Sequence, residues 1–325
     1  PAEDILAVTP APPWSARGAA GVALTRRNFW QLSVQPCDCS AHPLQRPRLT
    51  DEVVNAVLEV EEAWCKQRGD LTTLILSSFF VERLGGTRGR PYHYERVRRW
   101  HSARKLRVRC GVSSVLQLRR ILVPVNIPYR AASRRHDVRA GDVQRPLHQQ
   151  DQGHKGRPEQ EQQQEGGDED HWVLAEIQPA SRLIRLFDSA DAGTLTQASW
   201  DVLWALRRWL LDESEQQLLA GESMLASSSG ASAAVSDKAK VRNQSDRGGG
   251  WTLERGESPQ RQCFTGDCGV YMLANACILA ESGDSDSDSE SRCSAPVTAG
   301  VYSEADIPRW RTAFAAKLLG ASAGC

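Results

Sequence analysis

Four side chains in this sequence combine residue types and spacings that suit nucleophilic chemistry. Cys268 heads the apolar run Gly269-Val270-Tyr271-Met272-Leu273, which continues to Ala280 and predicts a buried helix with the thiol at its N-terminus. The helix dipole and a neighbouring imidazolium both favour a thiolate there, and can bring a cysteine pKa from ~8.5 down to roughly 3.5–7.5. His171 and Asp188 lie within "HWVLAEIQPASRLIRLFDS", which reads as two strands around Pro179-Ala180-Ser181. A loop centred between Pro179 and Ala180 sets His171 opposite Asp188, with Cβ atoms about 4.5–5.5 Å apart. The carboxylate then holds one ring nitrogen, fixes the tautomer and leaves the other nitrogen facing the thiol. Gln262, just upstream of Cys268, offers a side-chain amide that forms an oxyanion hole with the Cys268 backbone N–H. Gly269 leaves the backbone uncrowded for a close-approaching substrate.

Each of these residues alone has a plainer reading: a packed thiol, a surface histidine, a turn aspartate. Their combination requires elements that bring them together. "DEVVNAVLEVEEAW" places Val53, Val54, Val57, Leu58 and Trp64 on one helical face. "SWDVLWALRRWLLDE" does the same with Val202, Leu203, Leu206, Trp209 and Leu210. "RRILVPVN" reads as a further strand, and "DIPRWRTAFAAKLLGA", with Pro308 near its start, as a closing helix. The expected architecture is α+β, a small mixed or antiparallel sheet flanked by helices.

Three segments, 127–170, 219–250 and 282–299, are too polar or too rich in Ser, Ala and Gly to bury much surface, and read as mobile insertions. What remains fits a single domain over residues 20–320, behind an N-terminal extension at 1–19. With 40 basic and 40 acidic side chains, no global field draws the chain to nucleic acid or an anionic membrane. No apolar run reaches the roughly 20 residues of a membrane span, so the chain reads as soluble, and Pro1 in place of Met reads as excision from a longer one. The nine cysteines are odd in number and scattered, which suits a reducing compartment. Cys37 and Cys39 have no second pair or nearby histidine to complete a zinc site, and no metal or other cofactor is expected.

The order His171-Trp172, then Asp188-Ser189, then Gln262 ahead of Asp267-Cys268-Gly269, resembles the ubiquitin-like-protein-specific (SUMO/sentrin-specific) cysteine proteases. "RLTDEVVNAVL", "LSSFFVERL", "VRRW", "ILVPVN" and "DIPRWRTAFAAKLL" are similar to further blocks of that family, over most of Leu24 to Leu319. The resemblance implies a papain-like fold. It makes Cys268 the nucleophile, His171 the general base and acid, Asp188 its orienter and Gln262 the oxyanion donor. It also makes Trp172 a lid over a Gly-Gly tail, with Asp51 and Gly269 beside the substrate. The implied reaction cleaves after the C-terminal Gly-Gly of SUMO or a related modifier, in conjugates or precursors, through a thioester. The implied setting is a monomer in nucleus or cytoplasm whose partners are the modifier and its conjugates, with no nucleic acid or membrane. Arg48 stands where the family usually has a second tunnel tryptophan. That departure keeps open a protease for another modifier, of deneddylase type, and a module that grips a modifier without cutting it.

Overall fold

The computed structural model describes residues 5–8, 23–34, 46–129, 169–190, 195–228, 250–259, 266–282 and 302–323. Its centre is a five-stranded mixed sheet in the order β3 (Thr73–Ile75), β4 (Arg120–Tyr129), β5 (Glu169–Gln178), β6 (Leu183–Phe187) and β7 (Thr252–Arg255). The outer pairs β3/β4 and β6/β7 are parallel, and β4/β5/β6 are antiparallel. Both faces are covered, which is why β5 reads as an almost unbroken apolar run. Alternation sends Trp172 and Leu174 into one core and Val173, Ala175 and Ile177 into the other.

The first core packs α2 (Asp51–Gln67), α6 (Cys268–Glu281) and α7 (Ile307–Ala323) on one face. The second packs α3 (Phe79–Leu84), α4 (Ala103–Cys110) and α5 (Gln197–Ser228) on the opposite face. The expected α+β architecture is therefore present, with Cys268 as the first residue of a helix. The five apolar residues singled out in α5 are all buried, as are Val53, Val54, Val57 and Leu58 of α2. Trp64 is not: it is 39% exposed, and Lys317 Nζ sits 4.5 Å from its ring centre. It lies at the margin of the helix, where α7 reaches it with a charged side chain instead of an apolar one.

Several boundaries differ from the sequence reading. The β4/β5 ladder extends through Ile127↔His171 and Pro128↔Asp170 to Tyr129↔Glu169, so both ends of the 127–170 segment belong to the sheet. Helix α5 runs to Ser228, past the expected break at Leu219, because Leu, Ala, Glu and Met in that stretch are good helix formers. Within the expected N-terminal extension, β1 (Ile5–Val8) pairs antiparallel with β2 (Ala23–Thr25), which leads directly into α1 (Arg26–Trp30). Apart from Gly250 and Ser282 at their ends, the remainder of the three polar segments lies outside the described residues.

The β5–β6 register also differs. Its pairs run from Gln178↔Leu183 to Leu174↔Phe187, two residues away from the expected pairing. The turn takes four residues, closed by the Arg182 N–H donating to the Pro179 carbonyl at 3.2 Å, with Arg182 in the left-handed region at φ 51°. Asp188 therefore follows the last paired residue of β6 and reaches His171 diagonally. A shift of two preserves the face on which each side chain lies, so the contact survives the corrected register.

Candidate active site

Helix α6 is apolar all round and buried almost throughout, from Cys268 to Ala280. Its start is held by Asp267, whose carbonyl accepts from the N–H groups of Val270 and Tyr271 at 2.9 and 3.1 Å. The Asp267 carboxylate caps nothing in its own helix. It accepts from Arg46 Nη1 at 2.8 Å and from Arg311 Nε at 3.0 Å, and is fully buried. Arg311, also fully buried, donates further to the carbonyls of Gln31 and Pro47. One aspartate and two arginines thus tie the N-terminus of α6 to α7 and to the segment that leads into α2.

Gly266 completes this attachment. A Cβ there would lie 1.9 Å from the Arg46 carbonyl oxygen, so only glycine lets the two backbones approach. Of this anchoring set, only Gly266 and Asp267 carry a local signal, in "TGDCG". Arg46 and Arg311 look like ordinary surface cations in sequence, and only the fold shows that they are buried.

His171 Nε2 and Asp188 Oδ1 are 2.7 Å apart, and the side chains of His171 and Cys268 are hydrogen-bonded to each other. With Nε2 committed to the carboxylate, Nδ1 is the nitrogen that faces sulfur. All three residues are almost inaccessible, at 1% exposure for His171 and Asp188 and 2% for Cys268. Burial opposes a charged ring, but the bonds to Asp188 and Cys268 and their negative charges outweigh it and raise the His171 pKa to about 9. Burial likewise works against the Asp188 carboxylate. The hydrogen bond and charge of His171, the N–H of Ala190 at 2.8 Å and the charge of Arg255 hold its pKa below the usual value.

Trp172 is buried and donates from Nε1 to the Leu49 carbonyl at 3.0 Å. A Cβ on Gly269 would meet Leu49 Cβ and Trp172 Cδ1, each at 3.1 Å. The space above Gly269 is thus filled by Leu49 and the indole, where an open approach for substrate was expected, and the missing side chain serves their packing. Asp51 accepts from Ser78 Oγ at 2.7 Å and lines a cavity of about 200 Å³ with Ser78, Thr87, Arg88, Asn126 and Asp170. Arg48 donates to the Asp170 carbonyl at 3.5 Å, which sets a cation beside the histidine strand. Gln262 lies outside the described residues. Among the described residues, no three His, Cys, Asp or Glu side chains gather as metal ligands, and no helix is long and apolar enough to cross a membrane.

The fold and this geometry together define an α+β protein with a cysteine at a helix N-terminus, bonded to a histidine that is bonded to an aspartate. Among solved structures, the chain is similar to the SUMO protease Ulp1 with its catalytic cysteine oxidised to a sulfenic acid, at 18% identity over 92% of this chain and 85% of that one, with a TM-score of 0.50. It is similar to the C-terminal Ulp1 protease domain in complex with Smt3, the yeast orthologue of SUMO, at 18% identity over 93% and 85%, with a TM-score of 0.50. A third likeness, to Ulp1 with the cysteine oxidised to a sulfonic acid, has 17% identity over 98% and 89% and a TM-score of 0.51. No protein-family model matches the chain, and no curated protein does. The fold is that of the Ulp1 protease domain.

Proposed function

We propose that this protein is a cysteine protease that cleaves after the C-terminal Gly-Gly of SUMO or a related ubiquitin-like modifier. The observation that carries the reading is the chain of contacts from Cys268 through His171 to Asp188, placed at the N-terminus of α6 in a fold shared with Ulp1. In this reading the Cys268 thiolate attacks the carbonyl carbon of the terminal glycine. Sulfur forms a bond to carbon, and the carbonyl π electrons move to oxygen. The Cys268 backbone N–H at the helix start, with the Gln262 amide, stabilises that oxyanion. Collapse breaks the C–N bond, and the His171 imidazolium gives its Nδ1 proton to the departing amine. A water then gives a proton to the neutral imidazole and attacks the thioester; the C–S bond breaks, the modifier leaves as its carboxylic acid and loses that proton to solvent, and the Cys268 thiolate and His171 imidazolium are restored.

The near-complete burial of the three residues suits a substrate whose end has no side chains. Trp172, fixed to Leu49, would close over such a glycine tail. Arg48, beside Asp170, supports a second choice of modifier, because a cation stands where an aromatic wall was expected.

Covalent capture tests both readings: ubiquitin-like modifiers, SUMO among them, each carrying a C-terminal electrophile, are incubated with the full chain and with Cys268→Ala and His171→Ala. The expected result is a SUMO adduct that is absent in Cys268→Ala and slow in His171→Ala. An adduct with another modifier alone reassigns the substrate. Binding without any adduct overturns the protease reading and leaves a modifier-binding module.

A further inference from the structure

The residue before Cys268 is an aspartate, and a carboxylate one position away opposes a thiolate by like-charge repulsion. The fold reverses that sign. Asp267 is fully buried; its Oδ2 accepts from Arg46 Nη1 at 2.8 Å and its Oδ1 from Arg311 Nε at 3.0 Å. A guanidinium keeps its proton inside a protein. Two cations therefore meet one anion, and one positive charge is left over at the start of α6. Arg311 is 0% exposed and Arg46 8%, so water screens little of that charge. The rest of the Arg311 fork is bonded to the carbonyls of Gln31 and Pro47, which carry no net charge to cancel it.

The histidine side of the site carries the opposite charge. Cys268 is bonded to His171, and His171 Nε2 lies 2.7 Å from Asp188 Oδ1. The charged groups that bear on the thiol are thus His171 of β5, Asp188 behind it, Asp267 at the helix start, Arg46 from the segment before α2, and Arg311 of α7. Arg255, at the end of β7, also acts on Asp188. Moving the thiol proton to the imidazole puts negative charge toward the surplus cation and positive charge toward the Asp188 carboxylate. Both ends favour that transfer, and the dipole of α6 adds to it. Burial lowers the Arg311 pKa while the charges of Asp267 and Cys268 act to raise it, so guanidinium and sulfur attract each other.

We propose that Arg46 and Arg311 are positioning residues for the nucleophile: together they overcompensate the adjacent Asp267 and hold Cys268 as a thiolate. Anchoring the helix start requires only the hydrogen bonds of this network, whereas the surplus charge acts on the thiol itself. The two roles predict different signs. If the network only anchors, loss of any member loosens the helix start and slows Cys268. If its charge matters, loss of an arginine and loss of the aspartate move the thiol in opposite directions. This role rests on the reading of Cys268 as an attacking thiolate, yet alkylation tests it without any substrate. Its failure and the absence of a modifier adduct are therefore separate results.

The test is the rate of Cys268 alkylation by iodoacetamide across pH, in the full chain and in Arg46→Gln, Arg46→Lys and Asp267→Asn, with a urea midpoint recorded for each. Arg46→Gln keeps a donor for Asp267 and removes the surplus charge. The pH at which Cys268 becomes reactive should rise by about one unit, and alkylation below it should slow roughly tenfold. Arg46→Lys, which keeps the charge, should restore most of the parent profile. Asp267→Asn weakens the anchor but removes the opposing charge, so it should move the profile to lower pH. Shifts of Arg46→Gln and Asp267→Asn in the same direction, or profiles that superimpose on the parent, overturn the proposal. If Arg46→Gln does not fold, Asp267→Asn alone decides: a downward shift supports the role, and an upward or absent one overturns it.

Discussion

Replacing Asp188 with asparagine removes a charge while leaving an oxygen in place to accept from His171 and from the Ala190 N–H, which lie 2.7 and 2.8 Å from Oδ1. The ring keeps its orientation and loses its electrostatic support. Burial then opposes the imidazolium with Cys268 alone left to favour it, so the His171 pKa falls from about 9 toward the ordinary 6.5. Near pH 7.5, a complete return to 6.5 lowers the charged fraction from roughly 97% to roughly 9%, about a tenfold loss of the thiolate's counter-ion. Cys268 should lose reactivity in proportion at neutral pH and regain it as the medium approaches the ordinary thiol range near ~8.5. The assay is the rate of alkylation by iodoacetamide across pH, read at Cys268 by fragment-resolved mass spectrometry. This readout does not depend on the identity of the substrate. Cys65, Cys110 and Cys277 serve as internal references, because burial pushes their thiols up, to about 11 for the first two. If the Asp188→Asn and parent profiles superimpose, the aspartate does not support the imidazolium and the electrostatic account of the site is wrong.

Three further outcomes follow from the same contacts. His171 has its folded-state pKa raised, so its contribution to stability is full below about pH 6.5 and is lost as pH rises through about 9. The loss is on the order of 3 kcal/mol and is visible in urea midpoints, and a flat profile across that window contradicts it. Arg311→Met leaves the buried Asp267 with Arg46 as its remaining cation and frees two carbonyls; it should cost about 3–5 kcal/mol in urea unfolding, and a cost below about 1 kcal/mol would show the network to be dispensable. Gly266→Ala sets a methyl against the Arg46 carbonyl, so it should destabilise by more than about 2 kcal/mol and slow Cys268 alkylation, whereas unchanged alkylation would detach that turn from the site.

Much of the frame was readable because its elements are strongly patterned. α2, α5 and α7 show apolar residues at helical spacing, and the apolar stretches of β4, β5 and β6 are bounded by turn residues. The ends of the 127–170 segment were hidden because Asp170 and Pro128 look like loop residues, although the ladder holds them. The β5–β6 register was misplaced by two because a turn can take four residues once one of them, here Arg182, adopts a positive φ. Neither requirement shows in residue type.

The sequence by itself determined the periodicities, the apolar helix headed by Cys268, and a histidine and an aspartate on one face of adjoining strands. Alternation along a strand has a period of two, and it survives the corrected register. Tertiary structure alone decided that Arg46 and Arg311 are buried on Asp267, that Gly266 touches the Arg46 backbone, and that Gly269 serves Leu49 and Trp172. These contacts join residues far apart in the chain, by 44 positions for Arg311 and Asp267 and by 221 for Arg46 and Asp267, and Arg311 also reaches Gln31 across 280. Local preference carries no trace of such partners. A buried arginine and an exposed one have the same side chain, and only the packing of helices around the sheet determines which is which.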